Sequence, residues 1–581
     1  MWTLFIVGLV ACGGNEETDA VGPAIAAIDE VPLLTMTAPA RGAFTGEDNV
    51  LVSGGVQMGS GAISTVEING TVVESATSAA GLVTFDSELE WEPGINLIGV
   101  RIEDENGERA VDGRAIYAGP VHEPGATLTD AVFLQVGSDM LDDDDGVLDD
   151  VAALMETLLM DESISDSFVG QPMESDYYEL TPTSLSFEDA AVDLWTGTGG
   201  LTAEVTFFDV WVDFDVEGVS WYSWVSTDGS AWIDELALTV TLTADGVEVL
   251  PTSTVAELTG YGITVDYFPD SLEDYLADWT ETTLEEELAS TTEEMLESLV
   301  GDYLQAFAVD IDFAEGMNLA LEVADIDTGT EGLRLTMDVT ITGDEAFALP
   351  TGAGSLQTEG RAPSWPLDAN APFAVALDDD LMNQLLFAFW SSGALQGFSF
   401  SSVEMTGLSG STLPPPLGPV EEVSLEFGLP AVWGAAVVDD QDAELSMGEF
   451  LLRFAREDGE TLEFSINVKT GVVMEMVEGD EGAEFGLTLD NRPSEIALEI
   501  GVLEYPEGVD PGDLAALIRL LVPPLFGNAS AFMPTFPIPT VPLGSFLEGE
   551  VFEDVEFELR NPEIEVSSTG WMLMTGELTT D

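Results

Sequence analysis

The sequence predicts an α+β fold in three units: a small β-sandwich, then two modules in which long helices are covered by antiparallel strands. Three observations predict it. Residues 269–307 place apolar side chains at steps of three and four, with no Gly before Gly301 and no Pro after Pro269. Segments with strict strand alternation flank that stretch on both sides. The order strand, helix, strands, helix, strands then occurs twice, at a period of about 220 residues, which reads as two copies of a domain and not a solenoid.

The composition bounds what such a chain can do. At 581 residues it holds roughly three to five domains. Hydrophobic residues make up 45%, with 12 Trp and 29 Phe, so large cores can form. Acidic residues number 111 against 12 basic ones, a formal net charge of -99. That balance disfavours nucleic acid and any basic patch for anionic headgroups. A surface this acidic repels itself unless salt screens it, and at about 1 M salt the Debye length is about 3 Å. The charge therefore predicts a salt-rich setting. The one cysteine, Cys12, excludes an internal disulfide.

Taken in order, residues 1–11 (MWTLFIVGLVA) form an apolar run too short to span a membrane as a helix, which needs about 20 residues. Leu9-Val10-Ala11-Cys12 resembles the bacterial lipobox, although no Lys or Arg precedes the run. The resemblance implies a lipoprotein signal peptide over 1–11, cleavage before Cys12 and lipid on that cysteine. Residues 12–30 then read as a flexible tether that opens Gly13-Gly14-Asn15-Glu16-Glu17.

Residues 31–118 read as an immunoglobulin-like β-sandwich of about seven short strands, with a two-residue hairpin signal at Asn69-Gly70 and a second turn at Asn106-Gly107. Its expected role is a spacer. A linker follows at Gly119–Gly125 and contains the one histidine, His122.

The first module covers residues 126–350. A strand at Asp130–Val136 leads into one helix from Ser138 to Met160, with Met140, Val151 and Met155 on its apolar face. Asp142–Asp145 at its start suits the helix dipole. It fails as a calcium loop, because Gly146 at position six would place Leu141 and Ala152 where ligands are needed. Long strands follow around 201–212 and 235–243. The long helix Pro269–Phe307 comes next, capped by Asp270 or Ser271, with Leu296, Leu299 and Tyr303 on its stripe and twelve uncompensated acids elsewhere. Ser290-Thr291-Thr292 is its weak point. Strands at 317–323 and 333–342 close the module.

A loop spans Gly343–Ala371, and the second module covers residues 360–581. It opens with a strand at Phe373–Leu377 and a helix at Leu381–Ser391, capped within Asp378–Asp380, carrying Leu381 and Leu385. Strands fill 397–488. A last helix is capped by Asp510, starts at Pro511, carries Leu517 and Leu521, and is broken at Pro523-Pro524.

This order resembles the bactericidal/permeability-increasing protein family of the tubular lipid-binding (TULIP) superfamily. Three stretches carry the resemblance: Phe133-Leu134-Gln135-Val136 with the helix after it, Ala371–Phe398, and Phe536-Pro537-Ile538-Pro539 with the closing strands to Leu578. The resemblance implies two modules in a boomerang, each a curved antiparallel sheet wrapped round a long helix, with acyl chains of lipids in apolar pockets between them. The implied lipid-binding residues are Met140, Val151, Met155, Leu296, Leu299, Tyr303, Leu381, Leu385, Leu517 and Leu521. Residues 126–360 hold Arg334 and no other basic residue before Arg361, which departs from members that bind lipopolysaccharide through a basic module. The disulfide of vertebrate members is ruled out by the single cysteine.

The expected function is a membrane-anchored lipoprotein of the bacterial cell envelope, at the outer membrane or cell surface, that binds phospholipid or fatty acyl chains for carriage or transfer. The alternative is a structural or adhesive surface protein that keeps the fold without a ligand. No enzyme, cofactor, metal or nucleic-acid partner is expected. The chain has no G-x-S-x-G elbow, no H-E-x-x-H and no glycine-rich phosphate loop.

Overall fold

A computed structural model of the chain describes residues 32–580, except 47–48, 58–60, 78–81, 108, 144–149, 161–167, 175–176, 198–199, 220–221, 267–269, 306, 315, 359, 369–370, 402–416, 418, 436–440, 480–481, 491, 507–508, 531–535, 538–540, 543–555 and 568–569. Cys12, its apolar leader and the tether lie outside the described residues. The chain is mostly β-structure with few helices.

Strands β1 (Leu33–Ala38), β3 (Asn49–Gln57), β6 (Ser75–Thr77) and β7 (Leu82–Glu90) make one sheet. Strands β2 (Ala43–Thr45), β4 (Ile63–Ile68), β5 (Thr71–Val72), β8 (Gly94–Asp104) and β9 (Arg109–Ala118) make a second. Inward-facing Val52, Val56 and Phe85 of the first sheet meet Ile68, Ile98, Val100 and Ile102 of the second in one core. The β4–β5 turn is set by Asn69 at φ 47° and Gly70 at φ 75°, the left-handed pair that a two-residue hairpin requires.

The expected linker after this unit is not free chain. Val121–His122 is strand β10, and it pairs antiparallel with Ser355–Leu356, strand β22, inside the expected loop 343–371.

In the next part, β11 (Thr127–Val136) leads into helices α1 (Ser138–Leu141) and α2 (Val151–Leu159). These replace the single helix expected over 138–160. Asp142 leaves helical geometry, at φ -164° and ψ 121°. Its carboxylate accepts the Leu194 N–H at 2.9 Å, and Glu156 of α2 accepts the Val192 N–H at 2.9 Å. Both donors belong to β14 (Asp189–Gly197), an edge strand that pairs with β15 alone. The acids satisfy open backbone groups of that edge, and this competes successfully with helix propensity.

Strands β12 (Met173–Glu174), β13 (Tyr178–Ser186), β14, β15 (Gly200–Gly218), β16 (Ser226–Asp245), β17 (Glu248–Thr259) and β18 (Gly262–Val265) form a seven-stranded antiparallel sheet. Helix α3 (Asp270–Gln305) lies across β16–β18. At 1.5 Å per residue it is about 54 Å long. It runs unbroken through Ser290-Thr291-Thr292, with Thr292 buried.

Strands β19 (Val309–Ala314), β20 (Met317–Gly329) and β21 (Gly332–Gly343) then join β11 and β23 (Phe373–Leu377) in an eight-stranded sheet shared by both halves. Helix α4 (Asp379–Ser391) follows β23. A further eight-stranded sheet contains β24 (Phe398–Ser401), β25 (Val420–Phe427), β26 (Val432–Ala435), β27 (Ala443–Arg456), β28 (Thr461–Gly479), β29 (Gly482–Leu489), β30 (Ala497–Glu504) and β31 (Phe536–Pro537). Helix α5 (Pro511–Ser530) packs on β29 and β30. It continues through Pro523-Pro524, contrary to the expected break. The residues four positions earlier, Arg519 and Leu520, whose carbonyls lose an N–H partner, lie on the exposed face of the helix.

Strands β32 (Val541–Pro542), β33 (Glu556–Val566) and β34 (Met572–Thr580) close the shared sheet, whose order is β19-β20-β21-β11-β23-β34-β33-β32. Each half thus contributes its opening strand, β11 or β23, to the centre and its closing strands to the flank.

The sandwich does not stand off as a free spacer. It packs on the second half: Ile95, Ala115 and Tyr117 share a core with Leu356, Leu429 and Val432.

Candidate functional site

The apolar interior of the first half is one continuous cluster. It takes Met140 from α1, Val151 and Met155 from α2, Phe207, Phe214 and Leu238 from the curled sheet, and Leu284, Leu288, Leu296, Val300 and Leu304 from α3. Met140, Val151, Met155 and Leu296, expected as lipid contacts, therefore meet in one core, each no more than 5% exposed. The side chains of Leu299 and Tyr303 lie outside the described residues. Leu381 and Leu385 of α4 are half-buried against a different cluster, with Val132, Met337 and Val339. Leu517 and Leu521 are half-buried against a third, with Phe454, Phe464 and Ile518. The eight expected residues whose side chains are described thus line three separate apolar interiors.

Several half-buried residues pack on the first interior, and four of them gather in one seam. Where the first half of α3 crosses β18, Tyr261, Ile263, Val265 and Trp279 are only half-buried, and all four pack on the buried cluster. Strand residues β-branched at 263 and 265 present a flat apolar wall, and the helix supplies the facing Trp. Such a seam presents apolar surface continuous with the cluster, against which an apolar chain could exchange water. Burial of its methylenes would contribute about 0.8 kcal/mol each.

A second, polar constellation lies at the start of α4, and sequence reasoning did not assemble it. Asp378 caps the helix, with its carboxylate accepting the Asp380 N–H at 3.2 Å. His122 of β10 lies with Nε2 2.8 Å from Asp380 Oδ2. Thr358, just after β22, donates its N–H to Asp380 Oδ1 at 2.7 Å, and its hydroxyl lies 2.6 Å from Asp379 Oδ1 and 2.9 Å from Asp380 Oδ1. Burial, then the adjoining Asp378 carboxyl, pushes Asp379 up to about 7, while the Thr358 hydroxyl opposes the rise. Burial likewise raises Asp378. Ser355, opposite His122 across the β10–β22 ladder, is 1% exposed and its hydroxyl has no hydrogen-bond partner.

The third constellation is the seam between sandwich and second half. Arg101 of β8 lies 2.8 Å from Glu499 of β30, and Arg519 of α5 lies 3.5 Å from the same carboxylate. With Arg109, Val111 and Ala515 they line a cleft of about 290 Å³. A signal for this seam existed in the sequence. Four of the twelve basic residues, Arg41, Arg101, Arg109 and Arg114, fall in the sandwich. In so acidic a chain, where guanidinium groups gather marks where carboxylates must be brought together.

No protein-family model matches the chain. No curated protein matches it. Among solved structures, a crystal structure of lipopolysaccharide binding protein is similar over 79% of this chain and 99% of its own, at 13% identity and a TM-score of 0.37. CopC from Methylosinus trichosporium OB3b is similar over 16% of this chain and 98% of its own, at 13% identity and a TM-score of 0.11. At such low TM-scores neither likeness assigns a ligand to this chain.

Proposed function

We propose that the protein binds lipid acyl chains between its helices and curled sheets, as a lipoprotein anchored in the bacterial cell envelope through lipid on Cys12. The observation that carries this reading is the half-buried seam of Tyr261, Ile263, Val265 and Trp279 above an unbroken apolar interior. The arrangement of the shared sheet supports two modules of the tubular lipid-binding kind behind an immunoglobulin-like sandwich, since each half gives it an opening and a closing set of strands. The role is binding and carriage, not catalysis. Apolar burial alone, at roughly 25 cal/mol per Å², suits a ligand held without charge pairing in so acidic a protein.

The test uses the full chain with Cys12→Ser, so that acyl groups on the cysteine do not contribute. Organic extraction and mass spectrometry are expected to release phospholipid or fatty acid, and a fluorescent fatty acid is expected to bind. Ile263→Glu with Val265→Glu is expected to reduce that uptake at least tenfold while the fold survives. A lipid-free extract together with no uptake sinks the proposal.

A second reading, a structural or adhesive surface protein without ligand, is favoured by the tight filling of the interior, where Leu284 and Leu296 are both fully buried. It predicts that the seam substitutions change nothing but stability.

A further inference from the structure

We propose that the start of α4 is a calcium site, in which the carboxylates of Asp378, Asp379 and Asp380 and the hydroxyl of Ser355 hold one ion that ties together three separate parts of the chain. The three carboxylates offer oxygens that all lie within 4.8 Å of one another. Asp379 and Asp380 are 4% and 8% exposed, so two adjacent acids are held away from water with no Lys or Arg bonded to them among the described residues. Buried carboxyls gathered this way either keep a proton or gain a counter-charge, and a bound cation supplies the second.

The independent observation is Ser355. Its hydroxyl is buried, at 1% exposure, and has no hydrogen-bond partner. The ladder between β10 and β22 places Ser355 directly opposite His122, and Val121 opposite Leu356. Directly opposed residues of an antiparallel pair point to the same face. Val121 and Leu356 both enter the apolar core with Ile95 and Tyr117. Ser355 and His122 therefore take the other face, and the His122 ring shows where that face leads, since its Nε2 meets Asp380. An orphaned hydroxyl in that position is a neutral oxygen donor on the same face of the ladder as the His122 ring that meets Asp380.

The donor set selects the ion. Carboxylate and hydroxyl oxygens are hard ligands and suit calcium or magnesium. Oxygens on opposite sides of calcium stand up to about 5 Å apart, against about 4.2 Å for octahedral magnesium. The carboxylate oxygens, all within 4.8 Å of one another, fit inside the calcium span. His122 and Thr358 bond to the carboxylates and act as positioning residues that fix their orientation.

The consequence is mechanical. His122 follows the sandwich, Ser355 and Thr358 belong to the connector between the halves, and Asp378–Asp380 open α4. Gly570, next to the last strand, also comes close: a Cβ there would lie 2.2 Å from Asp379 Oδ2. One ion would lock the sandwich and the two halves at their common junction.

The experiment is a calorimetric titration of the EDTA-treated full chain with CaCl₂ in 2 M KCl, which suppresses loose binding to the acidic surface, alongside melting curves with and without calcium. The expected result is one saturable site, a melting temperature raised by several degrees, and weaker binding of magnesium. Ser355→Ala is expected to weaken calcium binding several-fold, and Asp378→Asn with Asp379→Asn to abolish it, both with an unchanged circular-dichroism spectrum. Diffuse, unsaturable calcium uptake by the wild-type chain overturns the proposal, whatever the variants do. So does a folded Asp378→Asn, Asp379→Asn chain that binds calcium as the wild type does.

Discussion

Arg41 of the sandwich places Nη1 3.1 Å from Glu449 of the second half, and the Glu449 side chain is only 4% exposed. Glu449 sits at an irregularity between Met447 and Phe450 in β27, with φ 50°. That backbone turn sends its carboxylate out of the ladder and into the interface. There it also accepts the Ala115 N–H at 2.9 Å and the Ser465 hydroxyl at 2.8 Å. One buried carboxylate thus satisfies a guanidinium and a backbone amide of the sandwich together.

Removing it leaves a buried N–H unpaired and weakens the hold on Arg41. Glu449→Ala is expected to cost about 2–4 kcal/mol in denaturant unfolding. In a double-mutant cycle with Arg41→Ala the coupling is expected at about 1–2 kcal/mol. A coupling indistinguishable from zero would mean that the pair does not hold the sandwich in place.

The same interface requires a glycine at 113. A Cβ there would meet the backbone of Ile500, 2.5 Å from its nitrogen and 2.6 Å from its carbonyl carbon. Backbone cannot move aside as a flexible side chain can. Gly113→Ala is expected to cost about 2 kcal/mol or more and to expose the sandwich to protease. Gly434→Ala, where nothing lies within 4 Å, serves as the neutral comparison. Equal effects at both sites would contradict the close approach.

What was legible in the sequence was what is set locally. The Asn69-Gly70 hairpin, the bounds of β23 and the extent of α3 follow from turn chemistry and periodicity over a few residues. The errors at Asp142 and Pro523-Pro524 came from applying local rules where tertiary context decides. Asp142 serves the β14 edge 52 positions away, and the Pro pair follows exposed residues Arg519 and Leu520 on the outer face of the helix. The junction of His122 with Asp380 joins residues 258 apart, and Arg41 with Glu449 joins residues 408 apart. No window of sequence contains either pair. The apolar residues of the stripes are buried or half-buried wherever their side chains are described. Their division among three interiors depends on strand order, which periodicity does not encode.

Asp490 gives a testable acid limb. Its carboxylate accepts Arg492 Nε at 2.9 and 3.0 Å, and Gln441 Nε2 at 2.6 Å. Arg492 first, and Gln441 with it, holds Asp490 at about 2, below its ordinary 3.8. A depressed carboxylate stabilises the fold above the unfolded value, and that contribution is lost as pH falls from about 4 to 2. The shift corresponds to about 2 kcal/mol. Asp490→Asn is expected to lower stability by about that amount at pH 7 and to flatten the loss below pH 4. An Asn variant with an unchanged acid limb would refute the assignment.

Asp150 has the opposite sign. It caps α2, accepting the Ala153 N–H at 2.7 Å and the Asp143 N–H at 3.0 Å, and it is 2% exposed. Burial is the main cause that pushes it up to about 6, with the neighbouring Asp142 and Asp143 carboxylates adding to it and the two backbone donors opposing. Between pH 4 and 6 the folded chain therefore keeps a proton that the unfolded chain has released. Stability from this group is greatest below pH 4, falls as pH rises to 6, and stays reduced above. Asn keeps the cap hydrogen bond from Ala153 without charge and gives up the one from Asp143, which offsets part of the gain. Asp150→Asn is accordingly expected to stabilise the protein at pH 7 by up to about 3 kcal/mol and to leave it unchanged near pH 4. Unfolding curves of both chains at pH 4, 5, 6 and 7 measure this. If the substitution destabilises equally at every pH, the carboxylate is ionised and well solvated in the folded chain, and burial is not what governs it.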